Sequence, residues 1–145
     1  METFNVVRFN RIALFVVFFW FGFLKVIGVS PAEELVSLLF NKTLSSFMSI
    51  DTFLVTFGLF EMVLGLIWLV PKWTKYAFWV FGFHMFTTFL PFIFIPEVAM
   101  NENMTLTLVG QYIVKNIVLL GSGLFLYSNH SDECLANDEI ELASI

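Results

Sequence analysis

Four long apolar stretches, separated by short polar ones, dominate the chain: residues 12–29, 52–70, 76–95 and 105–127. Each holds about 20 residues, which at about 1.5 Å per helical residue matches a hydrocarbon core about 30 Å thick. The pattern predicts an all-α integral membrane protein with four spans. Residues 1–10 form a short polar lead. A cleaved signal peptide competes for the first run, but the run is long for one and Lys25 interrupts it. Ser30, Pro31, Glu33 and Glu34 read as a helix start: serine caps, proline suits the first helical position, and acids favour the positive dipole end. Leu35, Leu38 and Leu39 add an apolar stripe, which predicts a short interfacial helix between spans 1 and 2. Asp51 reads as the cap of the second span. Residues 71–75 are too few for anything but a turn between neighbouring helices, and residues 96–104 form a polar loop. The expected architecture is an antiparallel four-helix bundle over residues 1–127, followed by an acidic, flexible tail over residues 128–145.

Composition turns an apolar pattern into a membrane assignment. The chain is 59% hydrophobic and 13% charged, with a mean hydropathy of +0.87; soluble domains lie near 45–50% and about 25%. The single cysteine, Cys134, excludes an internal disulfide and a cysteine-based metal cluster. The net charge is −5 and no basic surface for nucleic acid is visible. Arg8, Arg11, Lys72 and Lys75 lie on one side of the predicted spans and Lys42 alone on the other. That asymmetry puts both termini in the cytoplasm. The sequons at Asn41 and Asn103 would then face outward, and motifs this short arise readily by chance.

Polar residues inside the spans are the candidate chemistry, because ionisable groups in hydrocarbon are expensive and mark functional sites by default. Counting about 1.5 Å per residue puts Glu61 about 15 Å, His84 about 13–15 Å and Lys115 about 14 Å from the ends of their spans. All three fall near the midplane, so Lys115 is the expected partner of Glu61. Lys25 falls nearer the outer leaflet, and Gln111 lies one turn from Lys115 with Asn116 beside it. Gly58, Glu61 and Gly65 share a helix face, as do Gly22 and Lys25, and glycines let helices approach closely. His84, Thr87, Thr88 and Pro91 form a polar stripe, predicting a cavity with His84 at its floor and Gln111 and Lys25 on its walls. In the catalytic reading, Glu61 and His84 exchange protons while Lys25, Gln111, Lys115 and Asn116 bind a ligand. In the structural reading, a Glu61–Lys115 pair fixes helix register. No nucleophile elbow, P-loop or zincin motif is present, His84 and Glu61 are too few for a metal site, and no second intramembrane histidine offers haem an axial pair.

FFWFGFLKVIGVSPAEELV at residues 18–36, GLFEMVLGLIWLVP at residues 58–71 and GQYIVKNIVLL at residues 110–120 resemble the DoxX-like family of small four-helix membrane proteins. The resemblance covers roughly residues 8–127. It implies the bundle fold and an association with quinone-linked membrane oxidoreductases. The expectation is a redox-associated protein that binds a quinone or similar apolar ring inside the bundle. No covalently bound cofactor is expected, and electrons would come from a partner subunit. The alternative is a membrane scaffold or small-solute transport protein whose intramembrane charges stabilise the bundle.

Overall fold

The computed structural model describes the backbone of residues 2–143 and the side chains of residues 5–135. Asp138, Glu139 and Glu141 of the expected acidic tail, whose side chains lie beyond 135, are outside that description. Every regular element is a helix: α1 (Glu2–Val26), α2 (Glu33–Thr43), α3 (Ile50–Trp68), a 3-10 turn (Pro71–Trp73), α4 (Thr74–Thr88), the one-turn helices α5 (Pro91–Phe94) and α6 (Pro96–Ala99), and α7 (Leu108–Ala143). Four stretches are long and apolar enough to cross a membrane: Asn5–Val26, Ile50–Trp68, Pro71–Phe94 and Leu108–Leu135.

Local sequence explains most of the boundaries. Gly28 ends α1 with φ +69°, and across it the Val29 amide donates to the Leu24 carbonyl at 3.0 Å; only glycine takes that conformation without strain. Ser30 Oγ accepts the Ala32 amide at 3.3 Å ahead of α2, whose first turn carries Glu33 and Glu34. Ser49, rather than Asp51, caps α3 by accepting the Thr52 amide, and Asp51 sits in the first turn. Proline cannot donate a backbone hydrogen bond, so Pro91 starts α5 after α4 has ended, and Pro96 starts α6 just past the third apolar stretch. The carbonyls left over are met locally: Thr87 and Thr88 hydroxyls donate to His84 and Met85 carbonyls at 2.7 Å. Thr107 Oγ1 accepts the Gly110 amide at the start of α7 and donates to the Val98 carbonyl.

The fourth apolar helix does not stop at Tyr127. It continues through the expected tail boundary, and Glu133 is only 8% exposed. Leu126 and Glu133 are two helical turns apart and share the inward face. The core is built from Val7, Leu14 and Phe18 of α1, Leu64 and Trp68 of α3, Ala77, Phe81 and Met85 of α4, and Leu126 of α7. Among the long helices, α1 and α3 approach closely. A Cβ placed on Gly22 would lie 2.5 Å from the Gly58 carbonyl oxygen, and one on Gly58 would lie 2.6 Å from the Gly22 carbonyl oxygen. Backbone touches backbone there, and no side chain could be accommodated by a rotamer change.

Candidate functional site

The glycine contact sets the position of the polar cluster. Lys25 lies one turn beyond Gly22 on α1, and Glu61 one turn beyond Gly58 on α3. Side chains on a helix lean toward its N-terminus. The Lys25 stem accordingly runs back along α1, with Nζ 3.5 Å from the Phe21 carbonyl and 2.6 Å from Glu61 Oε2. Both side chains are buried. The Lys25 ammonium also lies 5.5 Å from the centroid of the Phe57 ring, a favourable cation–π placement.

His84 of α4 completes the cluster. Its Nε2 lies 3.5 Å from Glu61 Oε1, and its Nδ1 is buried without a hydrogen-bond partner. Three aromatic rings enclose the imidazole, with centroids at 5.5 Å for Phe18, 5.3 Å for Phe57 and 5.7 Å for Phe60. Phe57 continues into a row of rings through Phe53 to Phe40 of α2. Phe18 is sealed in the core, whereas Phe60 is 36% exposed and forms the outermost wall.

The other expected site residues stand elsewhere. Lys115 is exposed and does not pair with Glu61; its Nζ lies 4.8 Å from the ring centroid of Tyr112. The backward lean carries the Lys115 ammonium toward Tyr112 and the start of α7, on the exposed face of that helix. Gln111 is exposed on the same side. Asn116 is half-buried and donates to Thr88 Oγ1 at 3.1 Å, tying α7 to α4. Two concavities lie away from His84. One of about 200 Å³ is lined by Val70, Pro71, Lys72 and Cys134, and one of about 460 Å³ by Pro96, Glu97, Met100, Asn101 and Glu102. Phenylalanine rings fill the space around the imidazole. Among the described residues, no three His, Cys, Asp or Glu side chains converge as metal ligands would.

A second buried polar cluster, not anticipated from sequence, lies at the opposite end of α1. Arg11 Nε donates to both Glu133 carboxylate oxygens at 2.8 and 3.0 Å, and Nη2 also contacts Glu133 Oε2. Nη1 donates to the Trp68 carbonyl and Nη2 to Thr74 Oγ1, each at 2.7 Å. The guanidinium thereby satisfies a carbonyl at the C-terminus of α3, where helices leave acceptors unpaired. One residue links α1, α3, α4 and α7. The readable signal was helical spacing: Val7, Arg11, Leu14, Phe18 and Lys25 recur on one face of α1.

Comparison of the chain with family models, with curated proteins and with solved structures finds no match in any of the three.

Proposed function

We propose that this chain is an integral membrane protein of the DoxX-like kind, and that it serves a quinone-linked redox system by binding an apolar ring compound beside His84. In this reading it forms an antiparallel four-helix bundle in a bacterial inner membrane, with both termini cytoplasmic and α2 on the membrane surface. The contacts of Gly22 with Gly58, Phe19 with Gly65 and Arg11 with Trp68 step down α1 as they step up α3, which supports the antiparallel pairing. The basic asymmetry of the loops supports the orientation.

The observation that carries the ligand reading is the unpartnered His84 Nδ1. Buried polar atoms are nearly always hydrogen-bonded, and an orphan costs about 1–3 kcal/mol. A ligand oxygen would supply the missing partner. The tautomer with its proton on Nε2, facing the Glu61 carboxylate, leaves the Nδ1 lone pair as an acceptor for a ring hydroxyl. His84 can then take a proton at Nδ1 while its Nε2 proton passes toward Glu61, and Lys25 holds the carboxylate in place. Phe57 and Phe60 offer flat apolar faces for a ring and exclude water. Entry from the lipid requires Phe60, the most exposed of the three rings, to swing aside. A quinone couple supplies two-electron, two-proton chemistry when bound, with an oxidoreductase partner subunit exchanging the electrons.

The structural reading has its own support, since the Lys25–Glu61 pair joins α1 to α3 directly. One experiment separates the two. Purified protein in detergent is titrated with a short-tailed benzoquinol, alongside its His84→Phe variant. Loss of one hydrogen bond of about 1–1.5 kcal/mol weakens binding about tenfold, with an unchanged melting curve. Equal affinity in both proteins rejects the ligand role. A lowered melting temperature with equal affinity makes His84 a structural group and favours a scaffold.

A further inference from the structure

Lys115 is a charge facing away from its own protein, two turns inside the start of an apolar helix. The inward face of α7 is made by Gly110, Ile113, Gly123, Leu126 and Glu133. Lys115 and Gln111 lie on the opposite side, beside Tyr112 at 59% and Val118 at 73% exposure. No carboxylate among the described residues pairs with the Lys115 ammonium, which lies 4.8 Å from the centroid of the Tyr112 ring. Lysines near helix ends can extend to the interface, but Lys115 stands two turns inside the start of α7 at Leu108. This helix is also the least covered of the four: 17% of its most apolar stretch is buried, against 28% in each of the others. An ammonium exposed to lipid at that depth calls for a counter-charge from outside the chain.

We propose that the Gln111–Lys115–Val118 face of α7 docks a membrane-spanning helix of a different protein, one that carries a carboxylate at matching depth. The carboxylate would pair with the Lys115 ammonium and accept a second hydrogen bond from the Gln111 amide one turn away. A second copy of this chain fits poorly. Two-fold pairing through this face brings Lys115 against Lys115, and like charges repel. Nor does a second copy have a carboxylate to offer at that depth among the described residues: Glu61 is engaged by Lys25, Glu133 by Arg11, Glu33, Glu34, Asp51, Glu97 and Glu102 stand at or beyond helix ends, and Asp132 lies more than four turns further along α7. The inference rests on the membrane placement of α7 and not on any ligand at His84.

The test uses the full chain, labelled with a donor fluorophore and reconstituted in phosphatidylcholine vesicles. The probe is an acceptor-labelled polyleucine transmembrane peptide with one central glutamate, and the control peptide has glutamine there. The glutamate peptide should associate about tenfold more tightly than the glutamine peptide, in line with the strength of polar contacts between helices in bilayers. Lys115→Met should erase the difference without changing the melting curve, since the side chain makes no buried contact. No preference for glutamate, or a preference that survives Lys115→Met, overturns the proposal. Energy transfer between donor- and acceptor-labelled copies of the protein that disappears in Lys115→Met also overturns it, because the occupant is then a second copy. Release of the wild-type chain from membranes by alkaline carbonate would overturn the membrane placement itself, whereas retention with no peptide binding rejects the docking face alone.

Discussion

Replacing Lys25 and Glu61 singly and together measures the pair that joins α1 to α3. Lys25→Met leaves a buried carboxylate whose nearest remaining partner is His84 Nε2 at 3.5 Å. Glu61→Gln leaves a buried ammonium with the Phe21 carbonyl at 3.5 Å and the Phe57 ring. Two scales bear on the magnitude. Neutral polar contacts between membrane helices average about 0.6 kcal/mol, whereas removing one partner of a buried ion pair costs about 3–5 kcal/mol. The second governs here, because each single variant strands a charge with both side chains buried. At about 3 °C per kcal/mol for a chain of this size, each single variant should lose about 10 °C in detergent melting. The double variant should recover much of that loss, giving a coupling of about 2 kcal/mol or more in the cycle. Lys115→Met, at an exposed position, should stay within about 0.5 kcal/mol of wild type and show no coupling to Glu61. Additive effects of Lys25→Met and Glu61→Gln, or coupling of Glu61 to Lys115 in place of Lys25, would refute the reasoning.

Other perturbations follow from the same contacts. Gly22→Ala puts a Cβ against the Gly58 backbone and should cost about 1–3 kcal/mol in melting experiments, while Gly82→Ala, with nothing within 4 Å, should be neutral or stabilise by up to about 1 kcal/mol. Arg11→Met strands Glu133 and should cost about 3–5 kcal/mol; truncation after Tyr127 removes Glu133 and should lower the melting temperature as well, whereas an unchanged curve would show that the extension of α7 is dispensable. Phe60→Ala removes the outermost ring over His84 and should speed quinol-analogue association in stopped-flow mixing with little change in stability, because the ring is partly exposed.

Hydrophobic runs are strong signals, so the long apolar helices were legible before any coordinates. The close-packing faces of α1 and α3 were legible too, because Gly22, Gly58 and Gly65 stand at helical spacing beside Lys25 and Glu61. The partner of Glu61 was not. Depth counting follows Cα positions, but a lysine stem leans about one turn toward the start of its helix. That lean brings Lys25 down to Glu61, whereas Lys115 stands on the exposed face of α7. Polar residues within a span need not point inward: Gly110, Ile113, Gly123 and Leu126 define the packed side of α7, and Gln111 and Lys115 lie opposite. Glu133 was hidden by the polar residues around it, which made residues 128–135 read as tail. Its place seven residues beyond Leu126 was the available clue. The ring packing of Phe57, Phe60 and Phe18 against the His84 imidazole was not legible, because it depends on three helices at once.

If the proposed ring compound binds beside His84, its oxygen meets Nδ1, and nitrogen NMR of the imidazole reads that atom directly. Protein labelled with ¹⁵N at histidine contains two such side chains, His84 and His130, and His130→Gln assigns the remaining signals. Addition of a benzoquinol analogue in detergent should shift the His84 Nδ1 resonance in the direction of an accepted hydrogen bond, with saturation matching the binding curve. An Nδ1 signal that stays fixed while the analogue is shown to bind would contradict the account.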